Sequence, residues 1–420
     1  MMTIFSIIFI VLLLIQTLTQ CYLSVRQIRY VSQHKGQVPE AFAHKISLTS
    51  HQRAADYTIA RQRLHLIEIF INVIVLLGFT LFGGLTALNN LIAEHISSPI
   101  WYQILLLITV SAISQIISLP LAWYRTFVLE QSFGFNRMTP GLFIKDLIKE
   151  TLLGLVISIP LFYGLFAFLE AFYTPYWWVW AWAGFSVFML IMMFIGPTII
   201  MPLFNKFTPL DNPELQERIQ SLAKRANFAL KALFVMDGSK RSAHGNAFFT
   251  GFGKNRRIVF FDTLLSKLTP AEIEAVLAHE LGHFKHKHII KRLIMMFVMM
   301  FVFFAVLGFL IDKVWFYAGL GVFPGISQPI YGIAIVLFML VLPVFTFLYT
   351  PISSWFSRKD EFEADSYAAK QSDAHELISA LVKLYDDNAS TLTPDPVHSA
   401  FYDSHPPASI RIAHLKAAMH

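Results

Sequence analysis

The sequence predicts a mainly α, multi-pass membrane protein, with seven transmembrane helices and a small α+β domain built from polar segments on the cytosolic side. Three observations predict it. Of 420 residues, 55% are hydrophobic and only 14% charged, and the mean hydropathy of +0.56 exceeds what water-soluble chains usually show. The apolar residues gather into seven blocks, each of about 20 residues or more, the length a helix needs to cross a bilayer core. Lys and Arg then fall in alternate connections between those blocks, as they do when held on the cytosolic side.

In chain order the blocks run from Thr3 to Leu23, Leu64 to Leu88, Ile100 to Trp123, Leu147 to Phe172, Trp177 to Met201, Leu293 to Ile311 and Tyr331 to Tyr349. The first has no Lys or Arg ahead of it and no small-residue cleavage pattern behind it, so it reads as an anchor rather than a removed signal. Arg26, Arg29, Lys35, Lys45, Arg53, Arg61 and Arg63 separate blocks one and two, and no Lys or Arg separates two and three. Arg125, Arg137, Lys145 and Lys149 mark the next connection, none the one after, many the fifth-to-sixth, and Lys313 alone the sixth-to-seventh. The N-terminus is therefore expected outside and the C-terminus in the cytosol. The net charge of +6 follows from this topology and does not indicate nucleic acid. A single cysteine, Cys21, excludes an intrachain disulfide and a four-cysteine metal cluster. The organisation is a membrane domain over 1–201 with spans one to five, a cytosolic segment over 202–292, spans six and seven over 293–350, and a C-terminal cytosolic segment over 351–420.

The two polar segments carry the chemistry. "KALFVMDGSK" reads as a strand and turn, and "NAFFTGFGKNRRIVFFD" as two strands around "GKN". In "LTPAEIEAVLAHELGH", Thr269 is an N-cap, Pro270 suits the first helical position and Glu272 completes a capping box. His279 and His283 then lie one turn apart on one helix face, where both can bind a single zinc ion. Glu280, offset by one position, has the place of a general base rather than a ligand. His286 and His288 stand among Lys285, Lys287, Lys291 and Arg292 and read as a basic collar where the sixth span begins. A catalytic zinc takes three protein ligands. In "SSWFSRKDEFEADSYAAK", Glu361 and Asp365 share a helical face and Glu363 points nearly the opposite way. One of the pair can ligate the metal while the other orients a histidine; spacing leaves open which.

Several motifs in order resemble one family. "LPLAWYRTFVLEQSFGFNRMT", "PTIIMPLFNKFTPL", "MDGSKRSAHGNAFFTGFGKNRRIVFFDTLL", "HELGH", "SRKDEFEADSYA" and "SHPPASIR" are similar to stretches of the type I CAAX prenyl proteases, multi-pass zinc metallopeptidases. The resemblance implies a zincin-like domain with one zinc per chain, Glu361 as third ligand and Asp365 behind a histidine. It implies that the strand beginning at Asn246 and Ala247 is an edge along which substrate lies. It also implies that His405 steadies the oxyanion and that Arg411 stands with it on the substrate side. Finally, it implies a water-filled chamber among the spans and a prenylated peptide substrate cut after the lipid-bearing cysteine.

The sequence reading is thus a zinc endopeptidase in contact with membrane lipid, with a broader quality-control peptidase as the alternative. A transporter would need ionisable groups near mid-span, yet Glu68, Glu150 and Glu170 fall near block ends. An inactive scaffold would be expected to have lost a ligand or Glu280. Without a C-terminal retention signal, a bacterial inner membrane is expected over the endoplasmic reticulum.

Overall fold

A computed structural model describes residues 3–172, 174–251, 256–323 and 331–419. Among the described residues, seven helices are long and apolar enough to cross a membrane: Ile4–His34, Leu48–Phe79, Pro99–Glu130, Pro140–Ala171, Trp177–Phe204, His288–Leu310 and Tyr331–Gln371. Their number matches the seven apolar blocks, but several run past the block ends, because intrahelical hydrogen bonds satisfy the backbone in water as well as in lipid. The first continues to His34 and the second starts at Leu48. The second block, expected to span to Leu88, breaks earlier: its helix ends at Phe79, Gly83 adopts a left-handed φ of 77°, and a separate helix Gly84–His95 follows. The seventh helix passes through a 3-10 turn at Phe347–Tyr349 directly into the helix Thr350–Gln371. The sequence boundary at 350/351 therefore lies inside one helical rod.

Within the membrane domain Phe9, Tyr102, Phe166, Trp177 and Phe316 are fully buried in one apolar cluster. The outward faces remain apolar, as at Ile74, Val156 and Trp180, which suits lipid rather than water. Two buried polar contacts lie in this domain: the Gly332 amide donates to Gln103 Oε1 at 2.8 Å, and the Tyr102 hydroxyl donates to Asn89.

The polar segments form a four-stranded sheet from β1 (Phe207–Pro209), β2 (Leu230–Met236), β3 (Ala247–Thr250) and β4 (Arg256–Phe261), in the order β1-β2-β4-β3. β2 and β4 run parallel; β3 pairs antiparallel with β4 and forms one edge. The "GKN" turn expected between β3 and β4 lies outside the described residues. Behind the sheet stands the histidine helix Pro270–Lys285, whose Thr269 and Glu272 make both bonds of the capping box. Glu272 also accepts from Ser379 Oγ at 2.7 Å and Lys383 Nζ at 2.8 Å, tying this helix to Ala374–Asp387. Two ion pairs fasten the polar domain to the spans. Arg241 binds Asp146 at 2.8 Å, and Arg26 binds the buried Asp395 at 2.9 Å.

The histidine helix crosses the carboxylate helix, Thr350–Gln371, at almost no separation. A Cβ placed on Gly282 would lie 2.8 Å from Ala364 Cα and 3.1 Å from its carbonyl oxygen, backbone atoms that cannot rotate away. Gly282 lies between His279 and His283 in effect, and Ala364 between Glu361 and Asp365, so this contact sets how near the two polar clusters come. Gly282→Ala is predicted to force the helices apart at a cost of about 1–3 kcal/mol, seen as a lower thermal midpoint in detergent. An unchanged midpoint would show that the helices are free to separate there.

Candidate metal centre

His279 and His283 project from successive turns of the histidine helix, ring centroids 5.0 Å apart. Glu361, from the facing helix, reaches between them, with Oε2 3.4 Å from His279 Nε2 and Oε1 3.3 Å from His283 Nε2. The side chains are 8%, 12% and 3% exposed, so the donors are nearly dry while an edge stays open to water. Behind His279, Nδ1 lies 2.8 Å from Asp365 Oδ1. Asp365 is in turn held by Arg411 Nε at 2.9 Å and Nη2 at 2.6 Å. With Nδ1–H donating to Asp365, the Nε2 lone pair of neutral His279 faces Glu361. Glu361 Oε2 is itself buried and accepts no hydrogen bond from the described residues.

Two buried acceptors facing each other require something positive between them. The three ligand atoms lie within 4.8 Å of one another. Each imidazole Nε2 lies 3.3–3.4 Å from one oxygen of Glu361, close to the edge, about 3.3–3.4 Å, of a tetrahedron around zinc with N and O ligands at about 2.0–2.1 Å. The donor set and the orphaned oxygen both fit a single small divalent cation.

The other expected residues fall around this cluster. His405 Nε2 is 3.4 Å from Glu361 Oε1, and its Nδ1 is 2.9 Å from Ser404 Oγ. Glu280 is partly exposed and near enough to His405 to act on it electrostatically; among the described residues none donates a hydrogen bond to its carboxylate. Asn246 O accepts from the Phe261 amide at 2.9 Å, so by strand alternation the Ala247 amide points to the free edge, where it donates to Asn246 Oδ1 at 2.8 Å. β3 packs beside the metal helix through Phe249 and Phe284, 5.1 Å apart. Arg411 differs in placement from the expectation. It is buried at 6% exposure, with Nε and Nη2 on Asp365 and Nη1 3.7 Å from Glu361 Oε2, so it braces the carboxylates behind and beside His279.

His288 and Glu363 enter the site although the sequence reading left them out. His288 is 1% exposed, with Nδ1 3.0 Å from His283 Nδ1 and Nε2 3.0 Å from Glu363 Oε2. It is therefore not part of a solvated collar. Lys287 turns the chain with a left-handed φ of 58° between the histidine helix and the sixth span, which swings His288 back onto His283. The i, i+5 spacing carries no such signal when the helix is assumed continuous. His286, at 39% side-chain exposure, lies 3.6 Å from Glu363.

Burial alone would lower the His279 pKa, but the carboxylates of Asp365 and Glu361 beside the ring outweigh it and hold the ring at about 9, above its ordinary 6.5. Without a metal the ring therefore keeps its proton at neutral pH, and a cation must displace it. Metal uptake by chelator-treated protein is predicted to release a proton at pH 7, and the apparent affinity to weaken by about tenfold per pH unit below that pKa. Isothermal titration in buffers of different ionisation enthalpy measures both; uptake without proton release would mean that His279 is already neutral.

Comparison with known proteins agrees with this geometry. A family model described as CAAX prenyl protease N-terminal, five membrane helices, matches residues 27–206, and one described as Peptidase family M48 matches residues 209–419. CAAX prenyl protease 1 of Saccharomyces cerevisiae is 33% identical over 94% of this chain and 92% of that protein. The CAAX prenyl protease 1 homolog of Arabidopsis thaliana is 33% identical over 95% of each. The crystal structure of S. mikatae Ste24p superposes with a TM-score of 0.90 at 33% identity, covering 98% of this chain and 99% of that one. This chain, a membrane metallopeptidase by fold and by its ligand cluster, belongs to the CAAX prenyl protease family of M48 peptidases.

Proposed function

We propose that the protein is a zinc endopeptidase that cuts near the C-terminus of prenylated, CAAX-type peptides, with one zinc per chain held by His279, His283 and Glu361. The observation that carries this reading is the convergence of two imidazoles on one carboxylate with an unshared, buried oxygen, next to an unengaged Glu280 and an open strand edge. The relatives' names supply the substrate class.

A zinc ion in this ligand set supplies Lewis acidity toward water and the scissile carbonyl. The residues do the rest. Glu280 takes the proton from the attacking water and passes it to the leaving amine. His405 donates to the oxygen on which charge develops. Asp365, held by Arg411, keeps His279 in the tautomer that turns Nε2 inward. Along β3 an extended peptide exchanges the Asn246 side-chain bond to Ala247 for its own main-chain bond, which fixes the backbone with little regard to sequence.

The distribution of Lys and Arg supports a cytosolic site with the N-terminus outside. The relatives reported above are eukaryotic and lend no support to a bacterial membrane.

Glu280→Gln is predicted to keep its metal and lose about 10²- to 10⁴-fold in turnover, whereas His279→Ala loses metal and activity together. Metal analysis beside a chelator-reversible cleavage assay separates the two, and a fully active Glu280→Gln enzyme would remove the assigned base. A farnesylated peptide is predicted to be cut faster than its unlipidated twin; equal rates would assign the broader quality-control peptidase.

A further inference from the structure

A second convergence of ligand atoms lies on the far side of His283. Glu363 Oε2 is 3.0 Å from His288 Nε2 and 3.6 Å from His286 Nδ1, and ligand atoms from all three residues lie within 4.8 Å of one another. Asp360 Oδ1 is 3.5 Å from the same His288 nitrogen. These separations bracket the edge, about 3.3–3.4 Å, of a tetrahedral zinc site with ligands at about 2.0–2.1 Å. Two imidazoles with carboxylates suit zinc, cobalt and nickel rather than magnesium or calcium.

Local backbone builds the cluster. The left-handed Lys287 lets His286 and His288, two residues apart, stack at 5.6 Å with planes 18° apart. On a continuous helix they would diverge by about 200°. Buried His288 anchors the cluster, while His286 and Glu363, at 39% and 52% side-chain exposure, open onto a surface cleft lined by Lys285, Tyr367 and Lys370.

We propose that His286, His288 and Glu363, with Asp360 alongside, form a second divalent transition-metal site whose occupation weakens the first. The lysines in the cleft, and Lys291, which acts on Glu363, oppose a cation. The second site is therefore the weaker and fills only when metal is in excess. The link between the sites is the 3.0 Å contact between His283 Nδ1 and His288 Nδ1, in which one nitrogen must donate and the other accept. When His283 Nε2 gives its lone pair to a metal, its proton sits on Nδ1 and donates to His288 Nδ1, leaving the His288 proton on Nε2, toward Glu363. A metal on His288 Nε2 needs that lone pair and sends the His288 proton to Nδ1. Two N–H groups then face each other and the contact breaks, releasing the His283 ring from its support. Binding at the second site is independent of the proposed substrate, whereas the antagonism rests on His283 as a ligand.

The test uses the full-length, untagged protein in detergent, stripped by chelator and dialysed against zinc or cobalt. Wild type is expected to hold one more ion per chain than His286→Ala or Glu363→Gln at micromolar excess, with cobalt absorption bands that the variants lack. Equal counts in wild type and both variants would overturn the site. In peptide cleavage, His286→Ala is expected to match wild type at one equivalent of zinc and to raise the half-inhibitory zinc concentration by at least about tenfold. Identical inhibition of both would overturn the antagonism. Failure to cut lipidated peptide would leave the ion count standing and count against the substrate reading alone.

Discussion

The site depends on how closely two helices approach. The histidine helix supplies His279 and His283, the carboxylate helix supplies Glu361 and Asp365, and Gly282 against Ala364 is where their backbones nearly touch. Carboxylate side chains are short. With any larger pair at this crossing, Glu361 could not bring separate oxygens within 3.4 Å of both imidazoles, nor Asp365 reach 2.8 Å from the back of His279. A glycine inside a helix costs about 1 kcal/mol relative to alanine, and here it is offset by a contact that no residue with a Cβ allows.

Such proximity concentrates charge where water is scarce. Glu361, Asp365 and Arg411 are at 2%, 0% and 6% exposure, and desolvating three ions costs several kcal/mol each unless they are paired. Arg411 neutralises Asp365 through two bonds. Glu361 Oε2 accepts no hydrogen bond from the described residues, with Arg411 Nη1 3.7 Å away, and leaves its bonding position to a proton carried by His279 or to a metal. The cluster thus accepts one positive species at its centre, and the high pKa of His279 and its affinity for a cation express the same unmet charge.

Much of this was legible in the sequence because it depends on local periodicity. The capping box at Thr269 fixes where the helix begins, which in turn fixes the common face of His279 and His283. The i, i+4 spacing of Glu361 and Asp365 marks them as a pair, but spacing could not say which is ligand and which support, since that depends on the position of the opposite helix. His288 was misread as part of the basic collar because one left-handed residue, Lys287, redirects the chain, and nothing in "FKHKH" marks a lysine for that conformation. The inward turn of Arg411, onto Asp365 and to within 3.7 Å of Glu361, likewise has no signature in "SHPPASIR". In the same way the second apolar block reads as one span to Leu88, although Gly83 at positive φ ends it sooner; an isolated glycine pair in an apolar run was the signal available.

The membrane domain also takes part in the site. The seventh span and the carboxylate helix are one rod from Tyr331 to Gln371, so the position of Glu361 is set partly by how that span packs among its neighbours. Arg241, five residues before Asn246, is gripped by Asp146 at the start of the fourth span and by Asn205 and Phe204 at the end of the fifth. His244 stacks on Phe135 and donates from Nδ1 to Asn388 Oδ1 at 3.0 Å, beside Glu130, which takes the Tyr57 hydroxyl at 2.6 Å. The edge strand is thus tethered at its leading end to spans two to five, while Glu361 is carried by the rod of span seven. On the proposed reading, a peptide lying on β3 would meet a carbonyl-activating centre whose third ligand comes from another part of the bundle. Alignment of substrate with metal would then be a property of the assembled spans, which is a physical reason for a hydrolytic site to be built into a membrane protein instead of merely attached to one.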